Sequence, residues 1–481
     1  MDRIRSKAGA DEHRLKEDRL PADLAQLGNY LESFTRFTTE AAKTPQWLRD
    51  LRDAAFARFC AVGFPTTRDE DWRFTNVAPI AHMQFELPHC RAVDLPASFL
   101  ADMRIEGTAA GLVFIDGRFA PELSDRHRLP DGVVIDSLRI AISEERDGLE
   151  NYLGRYVNIE RDPFCALNTA FIDDGAYIHV NRGVVVGQPI HLIFVATSGE
   201  GQTMSHSRNL FVIEDECQVS IVEDYVSCGD GAPAFSNAVS ELIAGENATV
   251  AHLLIEREHP NNYSVSTLRI EQTRSSNVVS HRVLLGGALV RNNVHPVLSG
   301  EGGECLINGL FIGGGRQHLD NYMLIEHASP HCASRQFYNG ILDGHAHGVF
   351  HGRIIVHKNA QRTDAKQTNR NLLLADDAQI DTKPQLEIYA DDVKCTHGAT
   401  IGQIEEDALF YMRSRGIHEL EARRLLLEAF ATECLDRIRP EAIRVYARRA
   451  IEHRLQALLS AHANQVGNGA EPAERRWKEV Q

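Results

Sequence analysis

No stretch of the 481-residue chain reaches the roughly 18–20 consecutive apolar residues that a membrane-spanning helix needs. No G-x-x-x-x-G-K-[ST] loop occurs, so the chain has no P-loop with which to hydrolyse ATP. Gly313-Gly314-Gly315 lacks the lysine and hydroxyl of such a loop and leads into no helical pattern. None of the nine cysteines pairs with another as C-x-x-C, which excludes a zinc ribbon. Their scatter and odd number fit free thiols in a reducing cytoplasm. A basic balance is missing too. The 51 Lys and Arg against 67 Asp and Glu leave a formal net charge of −16. That sets aside nucleic-acid binding by phosphate neutralisation and discourages binding to anionic membranes. The opening MDRIRSKAGADEHRLKEDRL has no apolar core, unlike a secretory signal, and its acidic residues are unlike a transit peptide. A cytoplasmic location is expected.

What is present reads as several domains, since 481 residues exceed one ordinary core. Residues 1–20 are a polar tail. Residues 21–150 form a helical, then mixed, module. Leu24, Leu27, Leu31 and Phe34 recur at helical spacing. Thr44 reads as the N-cap of a second helix with Pro45 at its first position, and Leu48, Leu51, Ala55 and Phe59 stripe it. Trp72 and Phe74 read as an aromatic anchor onto the core. Residues 405–463 return to helical periods. Gly416 stops a first helix, a Leu-, Arg- and Glu-rich helix starts at Glu419, and Ile443, Ala447, Ile451, Leu455 and Leu458 stripe the last. Residues 464–481 are a second polar tail.

Between them, residues 151–404 are short β runs broken by Gly, Asn, Asp and Ser. Turn residues precede similar apolar runs at Cys217, Asn247, Asn277 and Glu304, spaced by 30, 30 and 27 residues. Later turns at Gly348, Asp364, Gln379 and Lys394 fall 16, 15 and 15 residues apart. A half-period near 15 inside a period near 30 predicts two strands per coil, the pattern of a parallel β-helix. A double-sheet sandwich satisfies the same spacing.

The stretch Asp381–Ile417 is where the strands hand over to helices. Val393, Cys395, His397, Ala399 and Ile401 alternate with polar residues and share one strand face. A thiol and an imidazole two residues apart on one face have Cα atoms roughly 7 Å apart, within reach of a common metal ion. The same spacing fits two side chains simply packed on an apolar face.

The run DTKPQLEIYADDVKCTHGAT, followed by LFYMRSRGI, resembles the core signature of the SufB/SufD family of the SUF iron–sulfur cluster assembly machinery. HGVFHGRIIVHKNAQRTDAKQTNRNLLL extends the resemblance upstream, it continues more weakly back to about Val157, and DEDWRFTN at Asp69–Asn76 is similar to the family's N-terminal motif. The resemblance implies a mainly β protein with a right-handed parallel β-helix core flanked by N- and C-terminal α-helical domains, and so decides against the sandwich. It also implies a non-catalytic subunit of a SufB–SufC–SufD complex that acquires iron and helps to build a nascent cluster at its interface with SufB. His397 matches the family's histidine for that site, with Cys395 as a second candidate ligand. Two side chains cannot complete a cluster site, so the transient cluster would be shared with SufB. The separate ATPase SufC is implied to dock on the C-terminal segment around Leu409, Phe410, Arg413, Arg415, Leu426 and Phe430, with no nucleotide bound by this chain. That segment would also serve as an end cap for the solenoid. The family's SufB branch carries a glutamate where this chain has Gly398, and a cysteine in the neighbourhood of Asn369, just before Leu372–Leu374. Both departures point to the SufD branch. Pairing with a second copy is open when the chain is isolated.

Other candidates read as structural. His345, His347, His351 and His357 sit among glycines and read as solvated histidines of a turn region. His327, His331 and Cys332 read the same way. Lys366, Arg370, Lys383 and Lys394 read as surface charges on rungs. Two other functions stay in view: a purely structural partner of the ATPase, and a carbohydrate-active enzyme. The second needs paired carboxylates in a cleft, whereas Asp391-Asp392 reads as a turn.

Overall fold

A computed structural model describes residues 24–468, apart from 42–43, 89–94, 127–128, 198–200 and 230. The polar tail expected at 1–20, and the part of the second tail beyond residue 468, lie outside the described residues.

Seven short strands follow the N-terminal helices: β1 (Ala110–Ile115), β2 (Arg118–Phe119), β3 (Val133–Ser137), β4 (Ala176–Val180), β5 (Ile190–Thr197), β6 (Thr203–Ser205) and β7 (Arg208–Ile213). Longer strands then follow at near-constant spacing: β8 (Gln218–Cys228), β9 (Ala234–Ala244), β10 (Thr249–Arg257), β11 (Tyr263–Gln272), β12 (Asn277–Leu284), β13 (Leu289–Leu298) and β14 (Glu304–Gly313). The series ends with β15 (His318–His327), β16 (Ala333–Leu342), β17 (His347–Val356), β18 (Asp364–Leu373), β19 (Gln379–Ile388) and β20 (Lys394–Gly402). From β8 onward the even strands stack in parallel into one sheet, and from β7 the odd strands stack into a second. Each strand bonds to the next but one in sequence, which makes a parallel β-solenoid of about seven turns. The expected β-helix is therefore present. The regular positions read as turns are strand starts: Asp364, Gln379 and Lys394 each open a strand. Strands β1 and β3 already belong to the two sheets, so sheet structure begins at residue 110.

One corner of the coil uses residues with positive φ: Glu216 (61°), Asn247 (58°), Ser275 (54°), Gly302 (72°), His331 (60°) and Arg362 (59°). Each donates its N–H to a carbonyl in the corner of the next coil, from Glu216 to Glu246 at 2.7 Å through to Arg362 and Asp392 at 2.6 Å. A β-carbon makes this conformation unfavourable, and the repeated bond between coils holds the non-glycine residues in it.

Inside, equivalent positions stack in columns. One runs Val219, Val250, Val278, Cys305, Ser334, Ala365, Cys395. Rings stack likewise, Phe114 on Phe194 at 4.9 Å and Phe194 on Tyr225 at 4.6 Å. The interior is polar in places. Buried Glu223 lies 2.8 Å from His252 Nε2 and accepts from the hydroxyls of Tyr225 at 2.8 Å and Ser240 at 2.9 Å. Burial pushes this carboxyl up, but His252, Arg282 and Tyr225 more than reverse the effect and hold it below its ordinary value.

Helices cover both outer faces. Helices α1 (Leu24–Glu40), α2 (Gln46–Val62) and α3 (Pro163–Ala170) pack on the second sheet at Phe235, Val265 and Leu289. Helix α1 buries Leu27, Tyr30, Phe34 and Phe37, and leaves Leu31, expected on its apolar stripe, exposed. Thr44 does not cap α2. Its hydroxyl donates to the Ala41 carbonyl at 2.6 Å, and the helix starts after Pro45 with no side-chain cap. Helices α4 (Glu406–Ser414), α5 (Glu419–Leu435) and α6 (Glu441–Asn468) follow the last strand. The last two lie along the flank of the first sheet. Leu427, Ala431, Leu435, Ile443, Ala447, Ile451 and Leu455 share one apolar cluster with Val222, Leu253, Val283, Leu310 and Phe337. The expected end cap is thus corrected. The outward side chains of β8 to β16 offer a broad apolar face, and burying it outweighs covering the end of the coil.

Candidate cluster-building coil end

Strands β19 and β20 end the two sheets, and each pairs on one side only, with β17 and β18. The columns of the interior therefore run out at β20. Ala365 lies beside Cys395, Gln367 beside His397, Asn369 beside Ala399 and Asn371 beside Ile401. In every earlier coil these positions are covered by the next rung. At β20 none follows, so His397 is exposed and Ile401 is 52% exposed, with Tyr389 61% exposed at the neighbouring strand end. The expectation that Cys395 and His397 sit packed on an apolar face is met only by Cys395. It is half-buried against the core, and burial pushes its thiol up from its ordinary value. A thiol so placed is a weaker nucleophile until a metal displaces its proton.

The two residues share the inward-facing side of one edge strand, as expected, and they supply one sulfur and one nitrogen donor. Among the described residues no group of three or more His, Cys, Asp or Glu side chains is placed to hold a metal ion.

The other histidines divide. His345 is in a turn, exposed, 3.5 Å from Asp377. His347 opens β17 and lies 2.8 Å from Asp381, and His357 lies 3.2 Å from Glu326. His351 is not solvated: it is buried on the outer face of the second sheet, its ring 4.9 Å from that of Tyr322. His331 is an exposed corner residue, but His327 and Cys332 are buried, with His327 Nε2 2.8 Å from the Ser334 hydroxyl. The coil explains His327 and Cys332, which flank a corner whose inner side is core, whereas His351 lies mid-strand on the outer face. Of the rung cations, Arg370 pairs with Glu433 at 2.6 Å and Lys383 with Glu70 at 3.0 Å, while Lys366 and Lys394 are exposed. Of Gly313-Gly314-Gly315, the first residue ends β14 and the other two form the corner after it, with Gly315 at φ +62°. Asp391 and Asp392 form the bend between β19 and β20.

The residues expected to dock an ATPase do not form one face. Phe410 is 74% exposed, and Arg413 and Arg415 are exposed beside it. Leu409 is buried, Leu426 is half-buried, and Phe430 turns to the first sheet, where its carbonyl accepts from Asn339 at 2.9 Å. Tyr411, 60% exposed with Arg415 stacked on it at 5.2 Å, belongs to the exposed set and was not singled out from sequence. Its signal was its place next to Phe410 on a short helix that cannot bury both rings. Of the two rings read as an anchor in Asp69–Asn76, Trp72 packs in the apolar cluster under the N-terminal helices, whereas Phe74 is only half-buried, with Arg73 over its ring. Trp72 is buried, and Thr75 lies 2.9 Å from His318 Nε2.

The family model described as "SUF system FeS cluster assembly, SufBD core domain" matches residues 194–430, and that described as "SufBD protein N-terminal region" matches residues 25–192. The chain is 38% identical to an iron–sulfur cluster assembly SufBD family protein of Synechocystis, over 78% of this chain and 84% of that protein. It is 31% identical to the iron–sulfur cluster assembly protein SufD of Escherichia coli, over 90% of this chain and 99% of that protein. A chloroplastic protein of Arabidopsis thaliana, ABCI7, is 30% identical over 84% of this chain and 86% of its own length. With the two family models covering most of its length, the chain belongs to the SufB/SufD family of the SUF iron–sulfur cluster assembly system.

Proposed function

We propose that the chain is a non-catalytic, cytoplasmic subunit of a SufB–SufC–SufD complex, and that its β19–β20 end pairs with SufB across a nascent iron–sulfur cluster. The observation that carries this reading is the uncovered last rung, which presents His397 and Cys395 together on the inward side of a strand whose other edge is unpaired. Unpaired strand edges invite another strand, and a partner of the same solenoid form would continue the sheets with main-chain hydrogen bonds. A neutral imidazole and a thiolate suit iron, and the thiolate also suits sulfane sulfur. The cluster is cargo in transit and its remaining donors come from SufB. Helix α4, with Phe410 and Tyr411 exposed, is the docking surface for SufC, which supplies the ATP hydrolysis that this chain lacks the loop to perform. In the absence of SufB, the same strand edges would let two copies pair.

Iron and acid-labile sulfide in complexes purified anaerobically test the reading. His397→Ala removes a ring from an exposed position and should leave assembly intact while iron and sulfide fall sharply. Cys395→Ala should have the smaller effect, because that thiol also packs against the core. Normal iron and sulfide with His397→Ala would move the chain to a purely structural role. Pairing is tested separately by hydrogen exchange: residues 379–402 should gain protection when SufB binds, and equal protection free and bound would refute the edge contact.

A further inference from the structure

We infer that Gln367 is a positioning residue for His397, holding its imidazole in one tautomer with the remaining ring nitrogen turned out of the coil end toward metal. The inference rests on the reading of His397 as a ligand. Gln367 lies in β18, buried in the interior column directly beneath His397 and in register with it. Its amide is fixed from two sides. Nε2 donates to Gln336 Oε1 at 2.9 Å on the rung below. On the facing strand stands Gly352, where a β-carbon would lie 1.5 Å from that same Nε2, so only glycine leaves room for the amide. The other amide atom, Oε1, is buried without a hydrogen-bond partner. Buried polar atoms are nearly always satisfied, and adjacent rungs are about 4.8 Å apart. The group one rung away is an exposed imidazole free to rotate about its side-chain bonds. Donation of one ring N–H to Oε1 satisfies the orphan and fixes the tautomer, as outer carbonyls do for metal-binding histidines generally. The Gln336–Gln367–His397 column is then a polar rod ending at the ligand. Gln367 itself does not touch iron.

The test uses the full chain with ring-15N-labelled histidine, His397 being assigned by the signal lost in His397→Ala. The wild type should show a single fixed tautomer for His397. Gln367→Met, similar in length but unable to accept, should return the ring to the mixture of a free imidazole, and Gln367→Glu should restore one tautomer. In anaerobic complexes Gln367→Met should weaken iron retention by about 10–100-fold, with rescue by Gln367→Glu. A wild-type His397 already in the free mixture overturns the proposal without any variant, and so does a tautomer unchanged by Gln367→Met or not restored by Gln367→Glu. A fixed tautomer together with unchanged iron in His397→Ala supports the hydrogen bond and overturns the ligand reading beneath it.

Discussion

The guanidinium of Arg291 lies 4.1 Å from the centre of the Trp72 ring and 4.8 Å from that of Tyr322, and it pairs with Asp320. A cation on β13 is thereby held between a ring from the N-terminal module and a ring from the next coil. Removing Trp72 exposes a buried charge and leaves a cavity. Trp72→Ala should cost about 3–5 kcal/mol, and Trp72→Phe, which keeps an aromatic face over Arg291, distinctly less. Urea denaturation midpoints of the two variants check this. Equal losses would mean that the ring contributes volume and not its face.

A second buried charge sets a pH dependence. Burial pushes the Asp224 carboxyl up, but Arg257, 2.6 Å away, and His191 more than reverse that and hold it at about 2. Tyr446 from α6 also donates to it. Because the folded value is depressed, the contribution to stability is complete above the ordinary aspartate value near 3.9 and disappears as pH falls through about 2. Asp224→Asn should destabilise the protein at pH 6 by about 3–5 kcal/mol, since the half-buried Arg257 loses the carboxylate it pairs with. Between pH 4 and pH 2 the difference from wild type should narrow. A constant difference across that window would show that Asp224 does not titrate there.

Interior columns also fix residue size. A β-carbon at Gly309 would lie 1.9 Å from Cε1 of Tyr338, on the rung above. Gly309→Ala should lower stability by about 1–3 kcal/mol through overpacking. Adding Tyr338→Leu should recover part of the loss, a coupling that a double-mutant cycle in denaturant measures. Purely additive losses would contradict the contact.

Much of this architecture is legible in the residues because a solenoid repeats. The 27–30-residue spacing of Cys217, Asn247, Asn277 and Glu304 marks the corners within a residue or two, and alternation along Val393–Ile401 places Cys395 and His397 on one face. What alternation cannot tell is whether another rung lies above that face. Cys395 and His397 have the same parity, yet one is half-buried and the other exposed, because β20 is the last strand. The same limit hides the burial of His351 and the route of α6. An amphipathic helix declares an apolar stripe, but neither the coil end nor the flank declares which will receive it. The Gln367–Gly352 pairing was invisible for a related reason: the two residues are close only across the interior, between facing sheets.

The flank position of α5 and α6 also decides how the proposed docking of SufC should be tested. Ending the chain at Glu405 would remove the cover from Val222, Leu253, Val283, Leu310 and Phe337, an apolar face too large to leave in water. Such a truncation should aggregate, and lost binding would then say nothing about docking. Substitutions on α4 avoid this. Phe410 and Tyr411 are exposed and sit outside the apolar clusters, so Phe410→Ala and Tyr411→Ala should change the denaturation midpoint by no more than an ordinary surface substitution, within about 0.5 kcal/mol. Large aromatic side chains of this kind supply the strongest contacts of protein interfaces, about 2 kcal/mol or more each when truncated. The double variant should therefore lose copurification with SufC while its complex with SufB persists. Leu427→Ala is the contrasting control, since it should reduce stability through a cavity against the first sheet. Retention of SufC by the folded double variant would refute α4 as the docking surface and shift the search to the exposed side of α5.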